Sequence, residues 1–169
     1  MSIQDSGARR EFSTGAVRDI ADGKGRCDLL PLGVISRIIG SPILHAVNAF
    51  VVTGENEHLR DAIKLFSSVA YTDVVSAMLD VSKHYEEGCI KYGERNWEKG
   101  IPLHCFIDSA VRHYFKFERG DTDERHDRAV LWNLMGALWT KRNRPEMIDL
   151  PFAESIQDSG DKLAGGIQK

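Results

Sequence analysis

Apolar positions recur every three to four residues from Pro42 to Trp139, and no stretch alternates with the period of two expected of a half-buried strand. The pattern predicts helices. "SPILHAVNAFVVTG" opens on a capping serine followed by proline at the first helical position and closes on glycine, which predicts a helix from Pro42 to Thr53. Further helices fit Asn56 to about Ser68 and Asp73 to about Tyr92, the latter capped by Thr72 and closed by Gly93. Another runs from Pro102 to near Gly120, and the last main helix starts at Asp121 or Thr122 and reaches about Arg142. "PLGVISRIIG" reads as a short helix or turn. Glycines interrupt "STGAVRDIADGKGRCD" too often for a helix, so that stretch reads as an arm ordered by docking. The expected fold is all-α, a bundle of four or five helices with a Gly-rich, non-helical N-terminal arm. Residues 1–30 form the Gly/Arg-rich arm, 31–142 the helical nucleotide-binding domain, and 143–169 a C-terminal tail beyond the prolines at 145 and 151. "SIQDSG" stands at both 2–7 and 155–160 and carries no functional inference.

Bulk properties narrow the classes. With 169 residues, 42% hydrophobic and 28% charged, the chain has the balance of one ordinary globular domain. A net charge of −3 and a pI near 6.1 argue against general nucleic-acid binding. The longest mainly apolar run, Pro42–Thr53, is too short to span a bilayer, and no start resembling a signal peptide is present, so no membrane partner is expected. Cys27, Cys89 and Cys105 form no CxxC pair and are odd in number, which disfavours a disulfide scaffold or thiolate zinc site and favours a reducing cytoplasm.

Helical spacing sorts the polar residues. Asp73, Asp80, His84, Glu87 and Lys91 share one side of the long helix, a solvated face in the plain interpretation. Glu86 falls in another column, with Val75, Leu79, Ser82 and Ile90, where a carboxylate among apolar neighbours needs a cation or donor if buried. His113 shares an apolar stripe with Phe106, Ala110 and Phe117, beside a polar flank of Asp108, Arg112 and Lys116. The last helix is apolar nearly all round, so it is expected at the centre, with His126 and Asn133 turned inward and in need of partners. Two accounts fit these residues with Glu86. One is a structural hydrogen-bond network; the other is an internal site for Mg²⁺ or Mn²⁺ completed by a nucleotide phosphate. Such a metal stabilises charge on a pyrophosphate leaving group and activates water. The Gly15–Arg26 arm, with Arg18, Lys24 and Arg26, can close over phosphates through backbone N–H groups and basic side chains.

Four blocks, "GAVRDIADGKGRCDLLP", "HYEEGCIKYGERNWEKGIPL", "DSAVRHYFKFERG" and "TDERHDRAVLWNLMGALWT", resemble the phage-borne dATP/dGTP diphosphohydrolase N-terminal domain family, over roughly residues 14–32 and 80–141. The resemblance implies a helical protein related to the MazG-like nucleotide pyrophosphohydrolases. Those convert a nucleoside triphosphate to monophosphate and pyrophosphate with Mg²⁺ or Mn²⁺ held by acidic residues on bundle helices. By that resemblance the metal ligands are Glu86, Glu87, Glu124 and Asp127. Asp123, His113 and His126 are catalytic, orienting ligands, water or phosphate together with Asn133. Arg18, Lys24, Arg26, His84, Lys91, Tyr92, Asn96, Trp97 and Arg112 contact the nucleotide; Trp97 either stacks on a base or plugs the end of the bundle. The MazG-like E-E-x-x-E pattern is broken, since Gly88, Cys89 and Ile90 follow Glu86-Glu87 and Glu94 lies past the expected helix end.

Three functions follow as expectations. The first is a metal-dependent purine (deoxy)nucleoside triphosphate diphosphohydrolase in the cytoplasm, the host's if the chain is phage-encoded. The second, motivated by the broken acidic motif, is a non-catalytic protein that sequesters a nucleotide such as a cyclic immune signal, an anti-defence role. The third treats the polar columns as contacts within a structural homo-oligomer; a homo-oligomer is expected in all three.

Overall fold

The computed structural model describes residues 7–153. The "SIQDSG" copies lie outside that range except for Gly7, as does most of the expected tail. Among the described residues six helices form, and the all-α class holds. They are α1 (Leu32–Ile38), α2 (Pro42–Thr53), α3 (Asn56–Ala70), α4 (Val74–Tyr92), α5 (Leu103–Arg119) and α6 (His126–Asn143). The local signals act as expected at most ends. Ser41 Oγ accepts from the Leu44 N–H at 3.1 Å to start α2, and Gly54 ends it in the left-handed region at φ 73°. α4 starts one residue later than expected: Asp73 rather than Thr72 is its cap, accepting from the Ser76 N–H at 2.8 Å, while Thr72 donates to Asp73.

The start of α6 departs further. The last helix begins at His126, not at Asp121 or Thr122, and no side chain caps it. The acidic groups that could cap are engaged elsewhere: Asp121 accepts from Arg119 at 2.7 Å, and Asp123 from Lys116 at 3.0 Å. The arm also contains two strands that the periodicity missed, β1 (Arg9–Glu11) and β2 (Val17–Asp19). They pair antiparallel with Arg10 opposite Arg18. Three-residue strands are too short for alternation to register.

α5 and α6 form the centre. His113 meets His126 while Phe106 meets Gly136, so the two helices run antiparallel. A Cβ on Gly136 would lie 2.4 Å from the Phe106 ring, which shows how closely the helices approach. α3 and α4 pack on α6, and α1 and α2 extend the bundle beside α3. Phe50, Phe66, Phe106, Leu131 and Leu134 are fully buried in the shared core.

α4 presents the face opposite to the one hydrophobicity suggests. Val75, Leu79 and Ile90 are 70%, 70% and 83% exposed, and Glu86 beside them is exposed too. The polar column turns inward because it meets opposite charges. Asp80 is bound by Arg125 at 2.6 Å and by Arg128 at 2.8 Å, Glu87 lies 3.6 Å from Arg128, and Lys91 reaches Asp19 of β2 at 2.7 Å. His84, in the same column, is buried. No single described helix is long and apolar enough to cross a membrane.

Candidate functional site

A cavity of about 400 Å³ opens between the hairpin, the second half of α4, the 3₁₀ turn Asn96–Lys99 and the facing sides of α5 and α6. Asn96 fastens the hairpin as one wall. Its Oδ1 accepts from the Val17 N–H and its Nδ2 donates to the Val17 carbonyl, both at 2.8 Å. Thr14 donates to the Gly100 carbonyl at 2.5 Å. The arm is thus held by backbone-directed hydrogen bonds to the α4–α5 connection, which is why a glycine-rich segment adopts one position.

This docking carries Arg18 into the cavity. Its guanidinium donates to the Cys105 carbonyl at 3.3 Å, Ser109 Oγ at 3.1 Å and Asn133 Oδ1 at 3.0 Å. It also lies over the rings of Phe106 and Trp132, each 5.4 Å away. All of these partners are neutral, and among the described residues Arg18 forms no ion pair. Burial is the largest influence on it and lowers its pKa. A cation partly withdrawn from water without a counter-ion carries a desolvation cost, and an anion in the cavity would offset it. Two further donors on lining residues, Arg10 Nε and Arg112 Nε, are buried without an acceptor among the described residues.

A second group sits where α5 meets the start of α6. His113, Glu124 and His126 each offer a ligand atom, all within 4.8 Å of one another, an arrangement able to hold a metal ion. The two imidazoles meet Nδ1 to Nδ1 at 2.9 Å, and His126 Nε2 lies 2.8 Å from Asp123 Oδ1. Lys116 and His126 hold the Asp123 carboxyl down at about 2, so it stays ionised and only accepts. His126 therefore donates from Nε2 to Asp123 and turns its Nδ1 toward His113. Burial, then the neighbouring His126, pushes His113 well below the ordinary imidazole range. Burial raises the Glu124 carboxyl. His84, on the α4 wall, is lowered to about 4 by burial and then by Arg128, so it is neutral at physiological pH.

The sequence candidates divide clearly. Arg18, Lys24, His84, Tyr92, Asn96, Trp97, Arg112, His113, Glu124 and Asn133 all line the cavity. His126 and Asp123 stand directly behind His113 in the hydrogen-bond chain. The structure does not bring Glu86, Glu87, Asp127, Arg26 or Lys91 to the cavity wall. Glu86 is exposed among the apolar residues of α4. Glu87 turns to Arg128. Asp127 accepts from Tyr71 at 2.9 Å and Arg125 at 2.6 Å, which places it in an α3–α6 ion network. Arg26 pairs with its neighbour Asp28, and Lys91 pairs with Asp19. Trp97 packs edge-on against Tyr85 at 5.6 Å and Trp139 at 4.9 Å, so it joins an aromatic ladder while lining the cavity.

Several lining residues escaped sequence reading. Ser109 and Trp132 complete the Arg18 cradle, and Tyr85 adds a ring beside Trp97. Arg10 has no local signal; it arrives through its pairing with Arg18 across the hairpin. Lys116 stood in the noted polar flank, and its spacing of seven residues from Asp123 crosses a helix break that no periodicity encodes.

A family model described as dATP/dGTP diphosphohydrolase, N-terminal, matches residues 60–150, more than half of the chain. No curated protein and no solved structure matches it.

Proposed function

Because the chain belongs to the dATP/dGTP diphosphohydrolase N-terminal family, we propose that its cavity binds a purine (deoxy)nucleoside triphosphate and hydrolyses it to the monophosphate and pyrophosphate. The half-buried Arg18 guanidinium, held by neutral acceptors, is the observation that carries this reading. A triphosphate supplies the missing negative charge, and Lys24 and Arg112 on the same wall add to the field around it. Tyr85, Trp97 and Trp132 offer flat apolar surface for the base.

In the reaction, water attacks the α-phosphorus, the α–β bridging P–O bond breaks, and pyrophosphate leaves with its electrons. Arg18 holds the phosphates against the α5–α6 wall and disperses charge that grows on the leaving group. Asp123 keeps the His126 ring in one tautomer and orientation. Of the four carboxylates named for the divalent ion, Glu86 points to solvent, Glu87 turns to Arg128 and Asp127 is committed to Arg125, which leaves Glu124. The donors that do converge are His113, Glu124 and His126. An ion bound there supplies positive charge close to the phosphates.

A second reading is sequestration without cleavage. The broken carboxylate pattern and the clamped hairpin wall favour it. Action on a nucleotide pool implies the cytoplasm, the host's for a phage-encoded protein, and the exposed apolar row of α4 offers a surface for a homo-oligomer.

Incubation with dGTP or dATP and Mn²⁺, followed by pyrophosphate detection and chromatography of nucleotide released by denaturation, separates these readings. Pyrophosphate and monophosphate are expected. Intact nucleotide recovered from the protein would replace hydrolysis by storage, and absence of both binding and turnover would sink the two together.

A further inference from the structure

We propose that His113, Glu124 and His126 form a binding site for a first-row transition-metal ion, in the range Mn²⁺ to Zn²⁺, and that Mg²⁺ does not occupy it. The proposal deepens the nucleotide-hydrolase reading, on which it rests for its purpose though not for its test.

Three independent features of the geometry point the same way. First, three ligand atoms from two separate segments lie within 4.8 Å of one another at a cavity wall. Second, His126 donates from Nε2 to Asp123, and its Nδ1 faces Nδ1 of His113 at 2.9 Å. A carboxylate fixing the far nitrogen of a histidine is the usual outer partner of a metal-bound imidazole. Without an ion, one of the two facing nitrogens must keep a proton to avoid opposed lone pairs. An ion there would take both facing nitrogens as ligands. Third, the Glu124 carboxylate is half-buried and forms no hydrogen bond or ion pair among the described residues.

The neighbouring combination of Asp121, Asp123 and His126 is a weaker candidate, because its carboxylates already answer Arg119 and Lys116. The chemistry of the donors then selects the ion. Two imidazole nitrogens and one carboxylate suit Mn²⁺ through Zn²⁺, whereas Mg²⁺ prefers six oxygens in near-octahedral order. The third protein ligand leaves positions open toward the cavity, where phosphate oxygens and water can enter.

The test uses the full chain, stripped with chelator, and Co²⁺ alone as the probe. Stoichiometric uptake with a visible d–d band is expected, displaced by Zn²⁺ and unaffected by a large excess of Mg²⁺. His126→Ala and Glu124→Gln abolish the band while far-UV circular dichroism stays helical. Asp123→Asn keeps it but weakens Co²⁺ by about 10- to 100-fold. Should one variant fail to fold, the other and the wild-type titration still decide. No Co²⁺ uptake by the folded wild type, equal competition by Mg²⁺, or an unchanged band in both ligand variants would overturn the site. Co²⁺ binding as expected with no pyrophosphate release leaves the metal site standing and removes the hydrolase reading instead.

Discussion

Arg18 is held by three neutral acceptors and two aromatic faces, so no ion pair among the described residues answers its charge. Replacing it with methionine keeps the stem over Phe106 and Trp132 and removes only the charge and donors. Arg18→Met is expected to shift the melting temperature of the free protein by a few degrees at most, about 1 kcal/mol, because a half-buried charge without an ion pair is lost along with its hydrogen bonds. Inorganic tripolyphosphate should raise the melting temperature of the wild type and leave that of Arg18→Met unmoved. Stabilisation of both alike would show that anions bind elsewhere. Glu86 provides the contrast. It is exposed on the far side of α4, so Glu86→Ala should change pyrophosphate release by less than about twofold, as is usual for a solvated surface position. A large loss would return it to the site.

At the scale of elements, two contacts set how α6 lies against its neighbours. Gly136 lets Phe106 of α5 pack directly on the α6 backbone. Gly136→Ala forces that ring to move and should cost about 1–3 kcal/mol, read as a lower urea midpoint. Between α4 and α6, Asp80 accepts from Arg125 and twice from Arg128, and the Arg128 bonds hold its carboxyl far below the usual range. Asp80→Asn should cost on the order of 2 kcal/mol by leaving two guanidinium groups short of an acceptor. An unchanged midpoint would mean that α4 docks through its aromatic contacts alone.

Across the whole molecule, the segment after α6 returns to the start of α5. Asp149 accepts from the His104 N–H at 2.9 Å and contacts the His104 ring, while Phe152 packs edge-on to Phe50 at 5.6 Å. Asp149, and then Cys105, raises the His104 pKa from 6.5 to about 10. A folded value above the unfolded one means stabilisation that is complete below pH 6.5 and lost as pH rises to about 10. Wild-type stability should therefore decline across that window more steeply than that of His104→Gln. Parallel pH profiles would show that the pair adds nothing.

Much of the helical framework was legible locally. Ser41-Pro42, Gly54, Gly93 and Gly120 mark helix ends because capping and left-handed turns depend on a few adjacent residues, and the cap of α4 was read one residue early, at Thr72 instead of Asp73. His113, His126 and Asn133 were legible as inward polar groups because the helices around them are otherwise apolar. The facing of α4 was not legible: its polar column is buried by Asp80 with Arg125 and Arg128, and by Lys91 with Asp19, partners distant in sequence. Nor could spacing tell Glu124, which reaches the cavity, from Asp127, which a tyrosine and an arginine draw away. The amino-acid sequence by itself determined where helices start, stop and carry unusual polar groups, since those choices are made within a turn or two of chain. Tertiary structure alone decided which carboxylates meet the imidazoles and that Arg18 enters the cavity. Those outcomes depend on charges and hydrogen bonds from separate elements, and only packing brings them within a few ångströms.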